Sequence, residues 1–251
     1  MSRSDEWKLK FHPDKANRLR IGCVEPTSNY ELQGNVIKTL EHKRDLGITI
    51  DDTLNFKRHV NDVVLKANRV LYTIKRTINV RDSKAFVLLY KSLVRPILDY
   101  NNPIVWSNIS LSEIDKLESI QGRATRMIVN VKNLPYEERL KYLKIPCLTY
   151  RRLRYDMIET FKLVTNVYST DNDIIMLDAR RRFTRGHPYK LEKRRCRKNI
   201  RLKYFTNRII NYWNSLPTEV VETPSVNSFK ARLDDYWKDY ELKTNYKLYR
   251  R

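Results

Sequence analysis

Glycine, cysteine and long apolar runs are all scarce in this sequence. Only five of its 251 residues are glycine, and they form no Gly-rich loop of the kind that cradles phosphates. The three cysteines, Cys23, Cys147 and Cys196, are odd in number and far apart, which predicts a reducing compartment and no disulfide framework. The four histidines are equally scattered, so no Cys/His group has the spacing of zinc ligands and we expect no metal site.

No apolar run reaches the length that a membrane-crossing helix needs. The N-terminus, MSRSDEWKLKF, has no hydrophobic signal core. We therefore expect a protein that is neither membrane-bound nor secreted, located in the nucleus, the cytoplasm or both.

Positive charge is abundant. Lysine and arginine number 50 against 29 acidic residues, which gives a formal net charge of +21. An excess of this size favours polyanionic partners, above all nucleic acid, with an acidic membrane surface as the weaker alternative. The apolar fraction of 41% and the 16 tyrosines indicate a folded core, in one or two domains.

Periodicity predicts a mainly α fold with a small N-terminal β-sheet. Residues 1–52 read as short alternating strands, including a hairpin with Gln33-Gly34-Asn35 at its turn. Residues 53–170 have apolar positions at three- and four-residue spacing and predict a helical bundle. Residues 171–204 predict a basic arm or loop, and residues 205–251 a small C-terminal helical unit.

The bundle and the C-terminal unit have specific expected core residues. The first long helix is expected to bury Val60, Val63, Val64, Ala67, Val70, Leu71, Ile74 and Ile78. The second, starting near Asp82, is expected to bury Phe86, Leu89, Tyr90, Leu93 and Ile97. In the last helix, Phe229, Leu233 and Trp237 share one face, and Ser225 or Asn227 is the expected cap.

The adjacent aspartates Asp51 and Asp52 follow an apolar run, as a two-metal polymerase site would require. Such a site needs carboxylates from distant parts of the chain, and only fifty residues precede Asp51. The alternative is that one of the pair accepts hydrogen bonds from the first free amides of the helix that follows. We favour this structural role.

Seven blocks, in order along nearly the whole chain, carry a resemblance to a known family. They are EWKLKFHPDKANRLRIG, KRDLGITIDDTLNFKRHV, LYKSLVRPILDYNNPIVW, KLESIQGRATRMI, YEERLKYLKIPCLTYRRLRYDMIETFKLV, TRGHPYKLEKRRCRKNIRLKYFTNRIINYWNSLP and PSVNSFKARLDDYW. The chain resembles the C-terminal part of reverse transcriptases from animal non-LTR retrotransposons, of which the jockey- and CR1-like LINE elements are the most similar type.

This resemblance implies a function and a fold. The family enzyme is an RNA-directed DNA polymerase, a nucleotidyltransferase that uses Mg²⁺ and is usually fused to an endonuclease. Residues 7–22 would be the palm segment after the catalytic Asp-Asp hairpin, and the helices from Phe56 onward a thumb-like bundle. The catalytic aspartates would lie upstream of Met1. The resemblance thus implies no catalytic residue, metal ligand or cofactor in this chain, RNA or an RNA/DNA hybrid as partner, and no particular oligomeric state.

Candidate nucleic-acid contacts fall in three places. Lys15 matches a palm lysine that lies near the phosphates of the incoming nucleotide, or is a surface turn lysine. The cluster in YRRLRYD is either a phosphate site or a helix face paired with Asp156 and Glu159. Between residues 180 and 208, thirteen basic residues face one acidic residue, Glu192, for a charge of +12. The remaining candidates, in the cluster and in this stretch, are Arg151, Arg152, Arg154, Arg180, Arg181, Arg182, Arg185, Arg194, Arg195, Arg197, Lys198 and Arg201.

The basic stretch supports the expectation of nucleic-acid binding without the resemblance. Lysine and arginine neutralise phosphates and release counterions, and interleaved aromatic residues suit stacking on unpaired bases. The aromatic candidates are Phe183, His187, Tyr189, Tyr204 and Phe205. Two other functions stay open: a stand-alone basic RNA-binding module, and a helical scaffold whose charge serves solubility.

Overall fold

A computed structural model describes residue 12 and residues 15–22, 29–77, 83–100, 108–168, 177 and 186–250. The described chain is mainly helical, with a few small strands near the N-terminus, which confirms the predicted fold class at that level. It divides into two compact units, residues 1–59 and 60–251. Each unit is described separately below.

The described part of the first unit contains six short strands. They are β1 (Asn17–Leu19), β2 (Glu31–Leu32), β3 (Asn35–Val36), β4 (Lys38–Leu40), β5 (His42–Asp45) and β6 (Ile48–Asp51). In place of one small sheet, they form three two-stranded ladders, of which β1–β4 is parallel and β2–β3 and β5–β6 are antiparallel. The expected strand around Trp7 lies outside the described residues.

The predicted hairpin at Gln33-Gly34 is confirmed, and a second one was missed. Gln33 and Gly34 have φ angles of 52° and 77°, the left-handed pair that a two-residue turn between antiparallel strands needs. Leu46 and Gly47 join β5 to β6 in the same way, with φ angles of 44° and 83°. The run LGITI predicts the second strand of this hairpin, but its first strand gave no signal because the run His42–Asp45 is all polar and shows no alternation.

Helices make up most of the rest of the chain. They are α1 (Lys57–Thr77), α2 (Ser83–Leu89), α3 (Arg95–Asp99), α4 (Leu111–Arg126), α5 (Tyr136–Leu143), α6 (Leu148–Val164), α7 (Asn199–Lys203), α8 (Phe205–Arg208), α9 (Ile210–Asn214), α10 (Thr218–Val221) and α11 (Val226–Tyr236). Short 3₁₀ turns span Val129–Val131, Glu241–Lys243 and Tyr246–Arg250. The buried face of α1 is largely as predicted, with Val60, Val63, Ala67, Leu71 and Ile74 inside. Ile78 and the proposed cap Asp82 lie outside the described residues.

A π-helical turn, Tyr90–Val94, joins α2 to α3 and changes which side chains are buried. The buried residues are Phe86, Tyr90, Val94 and Leu98, at intervals of four. Leu93, predicted to be buried, is 48% exposed. A π turn takes more residues than an α turn, so the positions that follow are rotated away from the face that a 3.6-residue period predicts.

A chain of buried hydrogen bonds crosses the bundle core. The Tyr90 hydroxyl donates to Gln121 Oε1 over 2.7 Å, and Gln121 Nε2 donates to the Tyr136 hydroxyl over 3.0 Å. Tyr136 donates in turn to Glu118 Oε2 over 2.8 Å, while the Thr149 amide donates to Glu118 Oε1 over 3.0 Å. Burial raises the pKa of Glu118, although Arg152 and these donors oppose the shift.

The C-terminal helices pack along α6. The rings of Phe161 and Phe229 stack with centroids 4.4 Å apart, and Trp237 meets Tyr150 edge to face at 5.8 Å. The predicted face of the last helix is confirmed, with Phe229, Leu233 and Trp237 buried. Its cap is Ser225, whose Oγ accepts the Ser228 amide. The helices of residues 205–251, expected as a small C-terminal helical unit, therefore share buried contacts with α6.

Candidate nucleic-acid interface

Residues 192–204, here called the basic segment, form an exposed and strongly positive surface. Every one of these residues is exposed except Cys196, which is half-buried. They include seven basic side chains against Glu192 alone. The seven are Lys193, Arg194, Arg195, Arg197, Lys198, Arg201 and Lys203. Dense like charge and few apolar residues keep such a sequence at the surface.

Buried anchors hold the basic segment on its N-terminal side. Trp213 Nε1 donates to the Tyr189 carbonyl over 2.8 Å, and a ring nitrogen of the buried His187 lies 3.0 Å from the Trp213 carbonyl. Asn214 bonds both the amide and the carbonyl of Leu191, each over 2.9 Å. Because Leu191 is buried and immediately precedes Glu192, the segment starts from a fixed point.

On the C-terminal side, the segment runs through the short helix α7 into the buried Phe205. Asn207 Nδ2 donates to the Arg201 carbonyl over 2.7 Å, and the Arg201 guanidinium lies 5.5 Å from the Tyr204 ring centre. α7 itself buries no residue. The segment is therefore a surface held at both ends, on which cations and one exposed aromatic ring face solvent.

The predicted contacts in this stretch have mixed outcomes. Arg194, Arg195, Arg197, Lys198 and Arg201 are exposed together in the basic segment. The other candidates of the arm, Arg180, Arg181, Arg182 and Arg185, lie outside the described residues.

The expected aromatic interleaving is mostly absent from the described surface. Tyr204 is 48% exposed, whereas His187 and Phe205 are buried in the core and cannot stack on a base. Tyr189 is half-buried, and Phe183 lies outside the described residues. Both buried rings are needed for the anchors at the two ends of the basic segment, which is why they do not reach solvent.

Lys15, the palm candidate, lies in the first unit. It is exposed in a turn whose backbone bond joins the Lys15 amide to the His12 carbonyl over 3.1 Å. This position matches the surface-turn alternative and leaves its proposed contact with a nucleotide phosphate a prediction.

The three arginines of YRRLRYD do not form one open cluster. Arg151 binds Asp99 with a shortest distance of 2.7 Å, and Arg154 binds both oxygens of Asp234 at 2.5 and 2.7 Å. Arg152 is only 7% exposed. The two ion-paired side chains contact different helices and the third is buried. Arg151, Arg152 and Arg154 therefore do not form one exposed surface that could bind a phosphate, the first of the two arrangements predicted from the sequence.

The alternative was a helix face on which these arginines pair with Asp156 and Glu159. Of the three arginines, Arg152 acts on Asp156, because its charge opposes the rise that burial causes in the pKa of that carboxyl. The direct ion pairs of the two acids lie elsewhere: Glu159 binds Lys162 over 2.7 Å, and Asp156 forms a buried bidentate pair with Arg208, with both contacts at 2.8 Å. Burial raises the pKa of Asp156, while the hydrogen bonds and charge of Arg208 act in the opposite direction.

The carboxylate of Asp51, which the sequence offers as a metal ligand or a helix cap, binds backbone amides close to it in the chain. Its Oδ1 accepts the amides of Thr53 and Asn55 over 3.0 and 3.1 Å, and its Oδ2 accepts the Phe56 amide over 3.1 Å. Partial burial raises the pKa of Asp51, but the hydrogen bonds outweigh it and hold that pKa below the usual 3.8. Asp51 therefore has a structural role, as expected, but not the predicted one: the amides that it binds belong to the turn before α1, and the first helical amide, that of Lys57, donates to Asn55 Oδ1 over 2.8 Å.

A cavity of about 420 Å³ lies beside the basic segment and was not predicted. Its lining residues are Ile109, Leu111, Ile114, Thr149, Arg152, Leu153, Asp156, Leu202, Lys203, Arg208, Tyr212 and Tyr249. They come from α4 and the residues just before it, from α6, α7, α8 and α9, and from the C-terminal turn, and several of these elements are far apart in sequence. No local pattern could have indicated that they meet.

Within the described ranges, no three His, Cys, Asp or Glu side chains come together as a metal site. Across the same residues, no helix is both long and apolar enough to span a membrane. No protein-family model, curated protein or solved structure matches this chain.

Proposed function

We propose that the chain binds RNA or an RNA/DNA hybrid through the basic segment, as the C-terminal region of a non-LTR retrotransposon reverse transcriptase. The observation that carries the proposal is the basic segment itself: thirteen residues with seven cations and one acid, exposed and held at both ends. Fixed ends reduce the entropy that is lost when a strand binds. A strand on this surface displaces counterions from its phosphates.

In this proposal, the helices α1–α6 are the thumb-like bundle, and the chain does not synthesise DNA by itself. One feature supports the second statement. Asp51 uses its carboxylate to bind three backbone amides of its own turn, so this aspartate has a structural role. Mg²⁺ would act in the complete family enzyme, on carboxylates outside this chain.

Salt-dependent RNA binding is the direct test. Fluorescence anisotropy would measure the affinity for a single-stranded RNA and for an RNA/DNA hybrid between 50 and 200 mM salt. The test variant replaces five cations of the basic segment by glutamine: Arg194, Arg195, Arg197, Lys198 and Arg201. If all five contact phosphates, the slope of log affinity against log salt for single-stranded RNA becomes shallower by about 3.5.

A matched control removes the same charge elsewhere. It replaces five exposed cations of α1 by glutamine: Lys57, Lys66, Arg69, Lys75 and Arg76. We expect a much smaller change in slope, because charge runs along a helix face are usually solvated. Equal losses in the two variants would contradict the proposed site, and weak binding by the unaltered chain even at low salt would favour the scaffold function.

Primer extension tests the missing polymerase activity. A reaction with template RNA, an annealed DNA primer, nucleotides and Mg²⁺ should give no elongated product with this chain alone. Measurable synthesis would contradict the proposal that the catalytic carboxylates lie elsewhere, whatever the outcome of the binding experiment.

A further inference from the structure

The cavity beside the basic segment has the size and the walls of a ligand site. Its volume of about 420 Å³ falls within the roughly 300–1,000 Å³ that small-molecule pockets occupy. Five aliphatic side chains line it, among them Leu153 and Ile114, which are themselves buried. Such a lining favours a flat, weakly hydrated group over a compact ion.

Five polar side chains also line the cavity, and two of them are fixed in position. Asp156 and Arg208 hold each other through two parallel contacts of 2.8 Å. Each Asp156 oxygen accepts one of these bonds and keeps further lone-pair capacity. An amino group on the edge of a heteroaromatic ring can therefore donate a hydrogen bond to an Asp156 oxygen. Arginine and lysine of the lining provide the complementary donors.

Two tyrosines, Tyr212 and Tyr249, also line the cavity. Burial, with the charges of nearby tyrosines, raises the pKa of Tyr212 to about 12. Aromatic side chains are what proteins use to stack an unpaired base.

The cavity and the basic segment share residues. Leu202 and Lys203 belong to α7 in the segment, and both line the cavity. A strand whose phosphates lie along the segment therefore passes the edge of the cavity. A single base turned out of such a strand next to Leu202 and Lys203 would be beside the cavity.

We propose that the cavity receives one unstacked nucleobase of the strand that the basic segment holds. Tyr212 and Tyr249 provide the stacking surface, the Asp156–Arg208 pair meets the edge of the base, and Lys203 lies towards its phosphate. This inference rests on the proposed function, because the strand must first be bound through its phosphates. It adds a reason for preferring single-stranded RNA over a duplex, whose bases are paired.

Photocrosslinking tests where the base lies. A single-stranded RNA that contains 4-thiouridine would be irradiated with the whole chain at low salt, and the crosslinked residues would be mapped by mass spectrometry. We expect crosslinks to Tyr212, Tyr249 or Leu202. Crosslinks confined to residues 192–201, with RNA binding intact, would overturn the base pocket and leave the proposed function standing, whereas absence of RNA binding would overturn both.

A pair of variants gives a second readout. Tyr249→Ala removes a lining ring that is 36% exposed, and Tyr236→Ala removes a ring of α11 that is 50% exposed and does not line the cavity. Tyr249→Ala should weaken the binding of single-stranded RNA about tenfold, as the loss of one stacked base does, and Tyr236→Ala less than twofold. Tyr249→Leu, which keeps an apolar side chain, should fold normally and lose a similar amount.

Binding of an abasic strand to the same variants distinguishes contacts with bases from contacts with phosphates. A ribose-phosphate oligomer without bases should bind the unaltered chain and Tyr249→Ala within about twofold of each other, because only phosphate contacts remain. A tenfold loss on this strand as well would overturn the pocket. Excess adenosine monophosphate should compete only at concentrations far above those of the strand, and equal competition would show that the cavity takes a free nucleotide instead.

Discussion

Two groups of arginines in this chain have opposite environments. On α6, Arg151 and Arg154 end in ion pairs with acids from other elements, and Arg152 is buried. In the basic segment, Arg195 and Arg197 are exposed. The first group lies on a helix whose apolar residues pack against several neighbouring elements. This packing brings acids of those elements, Asp99 and Asp234, within reach of Arg151 and Arg154.

The basic segment has one acid and few apolar residues, and its short helix α7 buries none of its side chains. The comparison shows that the number of arginines in a short stretch does not mark a nucleic-acid surface. What matters is whether apolar residues at helical spacing carry the stretch into a core, where buried charge must be paired. This difference has consequences that can be measured separately, as stability and as RNA affinity.

Breaking the buried pair on α6 should have the largest effect. Asp156→Ala leaves the Arg208 guanidinium, whose side chain is 10% exposed, without its bidentate partner. A buried charge that loses its partner typically costs about 3–5 kcal/mol of stability. Urea denaturation followed by circular dichroism would measure the loss.

The double variant Asp156→Leu with Arg208→Met is the control for that prediction. Apolar side chains of similar volume can replace a buried ion pair with little net cost, so most of the stability should return. If the single variant were as stable as the unaltered chain, the pair would not be buried as described.

The acid dependence of stability tests the hydrogen-bonded core around Glu118. Burial raises the pKa of Glu118 in the folded state above the usual 4.5. The folded chain therefore binds the proton of this carboxyl more tightly than the unfolded chain does. Its stabilising contribution is therefore complete below pH 4.5 and is lost as the pH rises through the folded-state pKa. Glu118→Gln should remove this loss.

Urea denaturation between pH 4.5 and 8 measures the effect. The free energy of unfolding of Glu118→Gln should increase relative to that of the unaltered chain as the pH rises. Asp156, whose pKa burial also raises, contributes to both proteins and cancels in the difference. A difference that is constant with pH, or that falls, would contradict the raised pKa.

The comparison also shows what a sequence can and cannot indicate. The cores of α1 and α11 followed from apolar spacing, and the Gln33-Gly34 turn from its residues, because both signals are local. The ion pairs of α6 were not accessible in this way. Arg154 and Asp234 are 80 residues apart, and Asp156 and Arg208 are 52 apart, so only the packing of α6 against the C-terminal helices brings them together.

The same distinction holds for the candidate site. The basic segment was visible as a charge run, since charge density is a local property. Its anchors were not, because His187 and Phe205 look like exposed aromatics in a basic stretch until Trp213 and the core are placed beside them. The π turn at Tyr90–Val94 explains a different error, the wrong prediction that Leu93 is buried. One irregular turn changed which side chains face the core in an otherwise regular helical stretch.

The smallest effects come from one arginine of each group. Arg154→Gln breaks a pair whose Asp234 side chain is 49% exposed, which should cost about 0.5 kcal/mol and change RNA affinity less than twofold. Arg197→Gln should leave stability within about 0.5 kcal/mol and make the salt slope for single-stranded RNA shallower by about 0.7. Denaturation and anisotropy on the two variants would show both halves of the contrast. An Arg154→Gln chain that lost RNA affinity as Arg197→Gln does would mean that α6 also contacts the strand.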